Sequence, residues 1–499
     1  MNIQPDLHTG GQQITGFLQK AHCHLIDGEW IEPASGKRFD VFNPATGQVI
    51  ARVAEGNAGD VDRAVRAARK AFDDGPWSRM SPSERSRLLL RLADALEDAT
   101  DEFALLDTLD NGMPITMARG INVAGSVDRL RYYAGWATKL SGETLAMAGQ
   151  NPQMFHSFTL REPVGVAGLI VPWNMPLLMV ASKVAPALAA GCTVILKPAE
   201  QTPLSALRFG ELVQDVGIPA GVVNIVTGFG ETGAALVDHP GVDKISFTGS
   251  AEVGKQIVRA STSNLKRVTL ELGGKSPVVV FPDADVSTAI AGASRSIFSN
   301  TGQVCAAGSR LFVHERLFDQ VVDGVADTAS RMKIGPGIDP ATEMGPVISQ
   351  DQLDRINGYV RAGRDAGATV IASEAGSAGP GYFVQPTVLT GTTPEMSVRR
   401  EEIFGPVLCA MSFSDDDLDA IAREANDTDF GLSALIFTRD LSVAHKMAKK
   451  IRAGTVRING GGLDPNIPFG GFKQSGWGRE SGREGIEAFT EIKSVTIGL

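Results

Sequence analysis

Between Val164 and Lys275 the chain repeats one pattern: a short apolar run, a turn, then a stretch with helical spacing. VGVAGLIVPW, CTVILKPA, VVNIVTG, KISFTGS and RVTLEL read as strands, and helical spacing falls at about 178–190, 203–216, 230–238 and 250–262. Parallel strands need a crossover between them, so this alternation predicts an α/β, doubly wound, Rossmann-type sheet. Such sheets take nucleotides at the carboxyl ends of their strands.

A second α/β section runs from about Ser276 to Lys473, with strands in SPVVVF, SRLFVH, ALIFT and GTVRING. Its segment DADVSTAIAGASRSIFSN reads as a helix that leads into a turn at Thr301–Gln303. Ahead of both sections, HLIDGEWIEPASGKRFDVFNPATGQVIARV reads as a β meander, and Gly59–Phe72 and Ser81–Thr100 as amphipathic helices. The strand-like segments Ser157–Glu162 and Glu491–Ile497 lie outside the alternation. A chain of 499 residues exceeds what one core holds, so a cleft between domains is expected.

The 47 Lys and Arg residues are scattered, and the net charge is −10, which argues against a nucleic-acid partner. The first residues are polar, and apolar stretches such as Val164–Val171 are too short for a bilayer, so no membrane contact and a cytoplasmic location are expected. The four cysteines, Cys23, Cys192, Cys305 and Cys409, form no CxxC pair, and the seven histidines no HExxH, so no metal site is expected.

Four places carry possible chemistry, each with a plainer reading beside it. Gly249-Ser250, between a strand and a helix start, suits a pyrophosphate or is an ordinary turn. Lys197 and Glu200 close a strand, either as ribose ligands or as a capping pair; a carboxylate there favours NAD, since it repels a 2′-phosphate. Cys305 sits between Gly302 and Gly308, placed for exposure as a nucleophile, or is simply structural. Glu271 and Asn174 each follow a strand, as base and oxyanion donor or as turn residues.

Together the motifs PWN, KPAEQTP, FTGS, ELGGKSP, GQxC and EEIFGPV, in that order, resemble the aldehyde dehydrogenase superfamily, from Asn43 to Gly476. The resemblance implies an NAD-binding domain (1–143 and 163–273), a catalytic domain (274–473) and a small β oligomerisation flap (144–162 and 474–499). It makes Cys305 the nucleophile, Glu271 the base, and Asn174 with the Cys305 N–H the oxyanion hole. Cofactor contacts fall to Lys197, Glu200, Gly249, Ser250, Glu402 and Phe404, with Ile170, Pro172 and Trp173 beside them. Lys183 and Glu480 match a pair that relays protons from the base. Because Glu271 is present, the thioester is expected to meet water and not coenzyme A.

By the same resemblance the substrate pocket is lined by Met175, Leu178, Met179, Ser182, Ser299, Leu463 and Phe469. Family members acting on small aldehydes often carry aromatics where this chain has Met175, Ser182 and Ser299, so a bulky apolar aldehyde is expected: aromatic, terpenoid or medium-chain. None of these positions is Lys or Arg, which disfavours a semialdehyde acid, and the missing aromatic cage disfavours betaine aldehyde. The implied assembly is a homo-oligomer, a tetramer ahead of a dimer. The alternative of another class is a catalytically silent relative that keeps the fold.

Overall fold

The computed structural model describes residues 11–149, 151–371, 380–414, 417–462 and 464–499. Five expected runs form parallel strands, β1 (Val166–Ile170), β2 (Thr193–Lys197), β3 (Val223–Ile225), β4 (Lys244–Thr248) and β5 (Arg267–Glu271). They lie in the order β5-β4-β1-β2-β3. The crossover helices are Pro176–Ala190, Leu204–Asp215, Gly230–Asp238 and Ala251–Ser261, close to the expected spans. Strand residues alternate between two cores: Ala167 and Leu169 of β1 enter one, Val166 and Ile170 the other. The chain moves from β1 to β2 and β3 on one side, then returns to place β4 and β5 on the other. The order therefore reverses between β1 and β4, and the loops that follow them open there.

The second sheet has parallel strands β6 (Pro277–Val280), β7 (Arg310–His314), β8 (Thr387–Thr390), β9 (Val407–Phe413), β10 (Ser433–Phe437) and β11 (Thr455–Ile458). Their order is β8-β9-β7-β6-β10-β11, and Thr369–Val370 pairs antiparallel on the β8 edge. The sequence reading missed β8 and β9. The buried Val407–Met411 stretch of β9 carries no polar alternation to mark it, since both its faces are covered. Only residues 272–276 separate β5 from β6, so the carboxyl ends of the first sheet abut the amino ends of the second.

A small antiparallel sheet joins Phe155–Pro163 to Thr490–Gly498 and Thr144–Leu145. Gly476–Trp477 pairs with β5, and Ile486 and Phe489 are buried in the core of the first unit; of residues 474–499, Thr490–Gly498 builds the small sheet. The amino-terminal helices Ala58–Asp73 and Pro82–Asp98 form as expected, each opened by a capping box, Asn57 with Asp60 and Ser81 with Glu84. Among the described residues no helix is long and apolar enough to cross a membrane.

Candidate active site

At the seam between the two large sheets lies a cavity of about 350 Å³. The loop after β1 contributes Pro172, Trp173, Asn174 and Met175; the loop after β4, Gly249 and Ser250; the end of β5, Glu271. Cys305, Glu402 and Phe404 face it from the second unit, and Met179, Ser182, Phe469 and Glu480 complete the expected set on its wall. Ile170, Leu178, Lys183, Lys197, Glu200 and Ser299 are not on that wall, and Leu463 lies outside the described residues. Leu178 is buried behind the wall, its carbonyl accepting the Ser182 hydroxyl at 2.7 Å. Ser299 ends the helix Val286–Phe298, after which the chain turns away through left-handed Asn300 and Thr301.

Those two residues, at φ 48° and 57°, are strained for side chains larger than glycine. The turn is held by its bonds: Thr301 Oγ1 donates to the Gly345 carbonyl at 2.9 Å, Gln303 Oε1 accepts the Ile348 N–H at 2.9 Å, and Asn300 Nδ2 donates to the Asn174 carbonyl at 2.7 Å. A Cβ at Gly302 would stand 2.1 Å from the Gly405 carbonyl carbon, so the turn packs too closely for any other residue. Cys305 follows, partly open to the cavity. Burial, then the charges of Glu402 and Glu271, push its thiol up to about 12.

Asn174 Nδ2 donates one N–H to the Gln303 carbonyl at 2.9 Å. That bond fixes the amide and leaves the second N–H for a ligand in the cavity. Glu271 is 3% exposed, and neither of its oxygens has a hydrogen-bond partner among the described residues. Burial, then the neighbouring Glu480, raise its carboxyl well above the ordinary value, while Lys183 and Arg479 pull it down. Lys183 Nζ pairs with Glu480 Oε1 and reaches Ser246 Oγ at 3.1 Å. Ser246 thus belongs to this relay-like group, a hydroxyl on β4 that no sequence motif marked.

Glu402 Oε1 accepts the Gly274 N–H at 2.8 Å, and burial raises its carboxyl to about 7. A Cβ at Gly273 would stand 2.1 Å from Glu402 Oε2, and one at Gly274 2.4 Å from the Cys305 carbonyl oxygen. The paired glycines therefore let the carboxylate and the cysteine loop close over the same strand end. Phe404, at φ 60°, meets the Trp173 ring edge-on at 5.2 Å. Ser250 caps the helix Ala251–Ser261, its Oγ accepting the Val253 N–H at 3.3 Å. Lys197, 5% exposed, has its ammonium 3.3 Å from Glu200 Oε2 beside the loop that carries Trp173.

Sequence reasoning missed three cationic residues of the wall, Arg129, Arg355 and Arg457. The expectation of a pocket without Arg or Lys is corrected by them. In the sequence, Arg129 stands beside the charged residues Asp128 and Arg131, and Arg457 alternates with Val456 and Ile458, contexts where a charge normally marks the solvent face.

Residues 30–495 match the family model described as "Aldehyde dehydrogenase family". The chain is 47% identical over 477 residues to "Aldehyde dehydrogenase, mitochondrial" of Rattus norvegicus, covering 95% of this chain and 91% of that one. It is 46% identical over 478 residues to "Benzaldehyde dehydrogenase, mitochondrial" of Antirrhinum majus, covering 95% and 88%. Among solved structures, the NAD+ complex of aldehyde dehydrogenase from Bacillus cereus superposes with a TM-score of 0.96 at 44% identity, covering 99% of each chain.

Proposed function

The chain belongs to the aldehyde dehydrogenase family, and on that premise we propose that it oxidises an apolar, bulky aldehyde to the carboxylic acid with NAD, using Cys305 as nucleophile and Glu271 as base. The observation that carries this reading is the meeting of Cys305, a free Asn174 N–H and the unpartnered carboxylate of Glu271 in one cavity.

The residues fit a dinucleotide. Oε2 of the Glu402 carboxylate has no hydrogen-bond partner among the described residues, and Gly249-Ser250 presents a helix amino terminus at the point where the strand order reverses. Glu402, with Phe404, would hold the nicotinamide ribose, and Lys197 with Glu200 the adenosine ribose. The resemblance to an NAD+ complex supports the same cofactor. A carboxylate at Glu200 favours NAD over NADP.

Cys305 gives up its thiol proton to solvent and attacks the aldehyde carbon as the thiolate, and the oxygen that becomes an alkoxide is held by the Asn174 amide and the Cys305 N–H. Bound NAD supplies the acceptor for the hydride, leaving the acyl group on Sγ as a thioester. Glu271 then takes a proton from a water that attacks this thioester, and Sγ leaves. Lys183 and Glu480 carry that proton onward, with Ser246 bridging the two. The proton affinity that burial adds to Glu271 suits it to accept the proton of that water.

Met175, Met179, Val304, Ile467 and Phe469 on the wall support an apolar substrate skeleton. The small sheet exposes Phe155, Leu160, Ile492 and Ile497, which supports its role as an oligomerisation flap in a homotetramer. The test is NADH formation with benzaldehyde, phenylacetaldehyde, a terpenoid aldehyde, octanal, acetaldehyde and betaine aldehyde. The expected result is the highest kcat/KM among the bulky apolar members; preference for acetaldehyde or betaine aldehyde would overturn the substrate reading.

A further inference from the structure

Of three arginines on the cavity wall, Arg355 is exposed and donates to the Glu402 carbonyl at 2.8 Å, while Arg129 and Arg457 reach further from solvent and lack an acid to pair with. Arg129, on the helix Ala124–Trp136, is 6% exposed and makes one hydrogen bond, from Nη1 to the Gly125 carbonyl at 3.0 Å. Arg457, on β11, gives Nη2 to Ser433 Oγ at 3.2 Å and Nη1 to the Gly461 carbonyl at 3.4 Å. In both, Nε is sealed from water without an acceptor. Among the described residues neither guanidinium has a carboxylate within the 4.0 Å of an ion pair. A guanidinium stays charged, and burying it without a counter-ion is strongly destabilising.

The acids of the cavity, Glu480 ahead of the others, soften this for Arg129 from a distance, but none pairs with either guanidinium. Glu480 is engaged by Lys183 and Ser246, and burial drives Glu271 and Glu402 toward their neutral forms. Asp464 is exposed and accepts the Asn466 N–H at 2.8 Å; it and the exposed Asp128 bias Arg129 from a distance without pairing.

We propose that Arg129 and Arg457 bind a carboxylate carried by the substrate at the end away from its aldehyde, so that the substrate is an aldehydic acid with an apolar skeleton. This rests on the reading of the cavity as an aldehyde-oxidising site. The planar fork of a guanidinium matches a carboxylate in two parallel hydrogen bonds, and Arg129 Nη2 has no protein acceptor to give up. The apolar residues of the same wall, Met175, Met179, Ile467 and Phe469, take the skeleton, and the anion replaces the missing counter-ion.

The experiment compares kcat/KM for straight-chain ω-oxo acids of increasing length with alkanals of equal length, and for para-carboxybenzaldehyde with para-methylbenzaldehyde. The wild type is expected to prefer the acid in at least one pair. Arg129→Met and Arg457→Met are each expected to lower the acid-to-neutral ratio by about 30-fold or more, mainly through KM, with Arg457→Lys recovering part of it. Calorimetric binding of terephthalate to the wild type gives a readout free of turnover, and the Met variants are expected to lose it. A wild type that prefers the neutral partner in every pair, or variants that leave the ratio unchanged, would overturn the proposal. Should no aldehyde be oxidised, the activity itself fails, and terephthalate binding decides whether the arginines still form an anion site. If a Met variant does not fold, the wild-type ratio and terephthalate binding decide alone.

Discussion

Replacing Glu271 by Gln tests the chemistry and the electrostatics together. The change keeps the shape of the side chain but removes the proton acceptor. Loss of a positioned general base costs about 10²- to 10⁴-fold in the step it serves, here attack of water on the thioester. Formation of the thioester does not use Glu271 as a base, and removing its charge from beside Cys305 does not slow it. Mixing the variant with NAD and aldehyde in stopped flow is therefore expected to give one rapid equivalent of NADH per Cys305, then a slow steady state, with the acyl adduct visible by intact mass. The same substitution has a signature in stability. A carboxyl raised above its ordinary value of 4.5 in the fold is unpenalised while protonated in both states. As pH rises from there toward the folded value, the native state loses up to about 1.4 kcal/mol per pH unit relative to the unfolded chain. Glu271→Gln removes that loss, so its melting temperature should gain on the wild type as pH increases. Uniform slowing without a burst, together with a melting difference that ignores pH, would refute the assignment.

Other consequences are as direct. In the ligand-free protein the Cys305 thiol sits at about 12, so its alkylation by iodoacetamide should rise about tenfold per unit between about pH 7 and about pH 9 without a plateau. Glu402→Gln should speed it; a plateau below about pH 8 would contradict the electrostatics. Lys183→Met strips the partner from buried Glu480 and should cost about 3–5 kcal/mol in denaturant melts. Because Lys183 lowers the Glu271 pKa, the same variant should move the basic rise of thioester hydrolysis to higher pH; no shift would exclude the coupling. Gly302→Ala combines φ +71° with a Cβ 2.1 Å from backbone, so it should lose more than about 1 kcal/mol of stability along with turnover, read by urea melts and NADH formation. Wild-type stability in that variant would mean the turn has room to relax.

The parts of the site legible in the sequence are those tied to backbone punctuation. Gly249-Ser250, Gly273-Gly274 and Gly302 mark strand ends and tight turns; a carboxylate or backbone comes within a Cβ's reach of Gly273, Gly274 and Gly302, and the Phe247 ring within reach of Gly249. Asn174, Glu271 and Cys305 stand next to those marks, so their convergence followed from the order of motifs. Distances in sequence hid the rest. Ser246 reaches Lys183 and Glu480 only because β4 passes the helix Pro176–Ala190 and the segment after Gly476. Arg129 and Arg457 look like solvent-facing charges in their own elements, and only the packing of the helix Ala124–Trp136 and of β11 onto one cavity turns them inward. In the fold, β9 escaped because a strand covered on both faces shows no alternation.

The most direct test of the central claim is NADH formation by Cys305→Ala beside the wild type, with NAD binding measured on both by calorimetry. The account predicts turnover in the wild type and none in the variant, with NAD affinity within a few-fold. Sustained turnover by Cys305→Ala would show that the thiol at the seam of the two sheets is not the nucleophile.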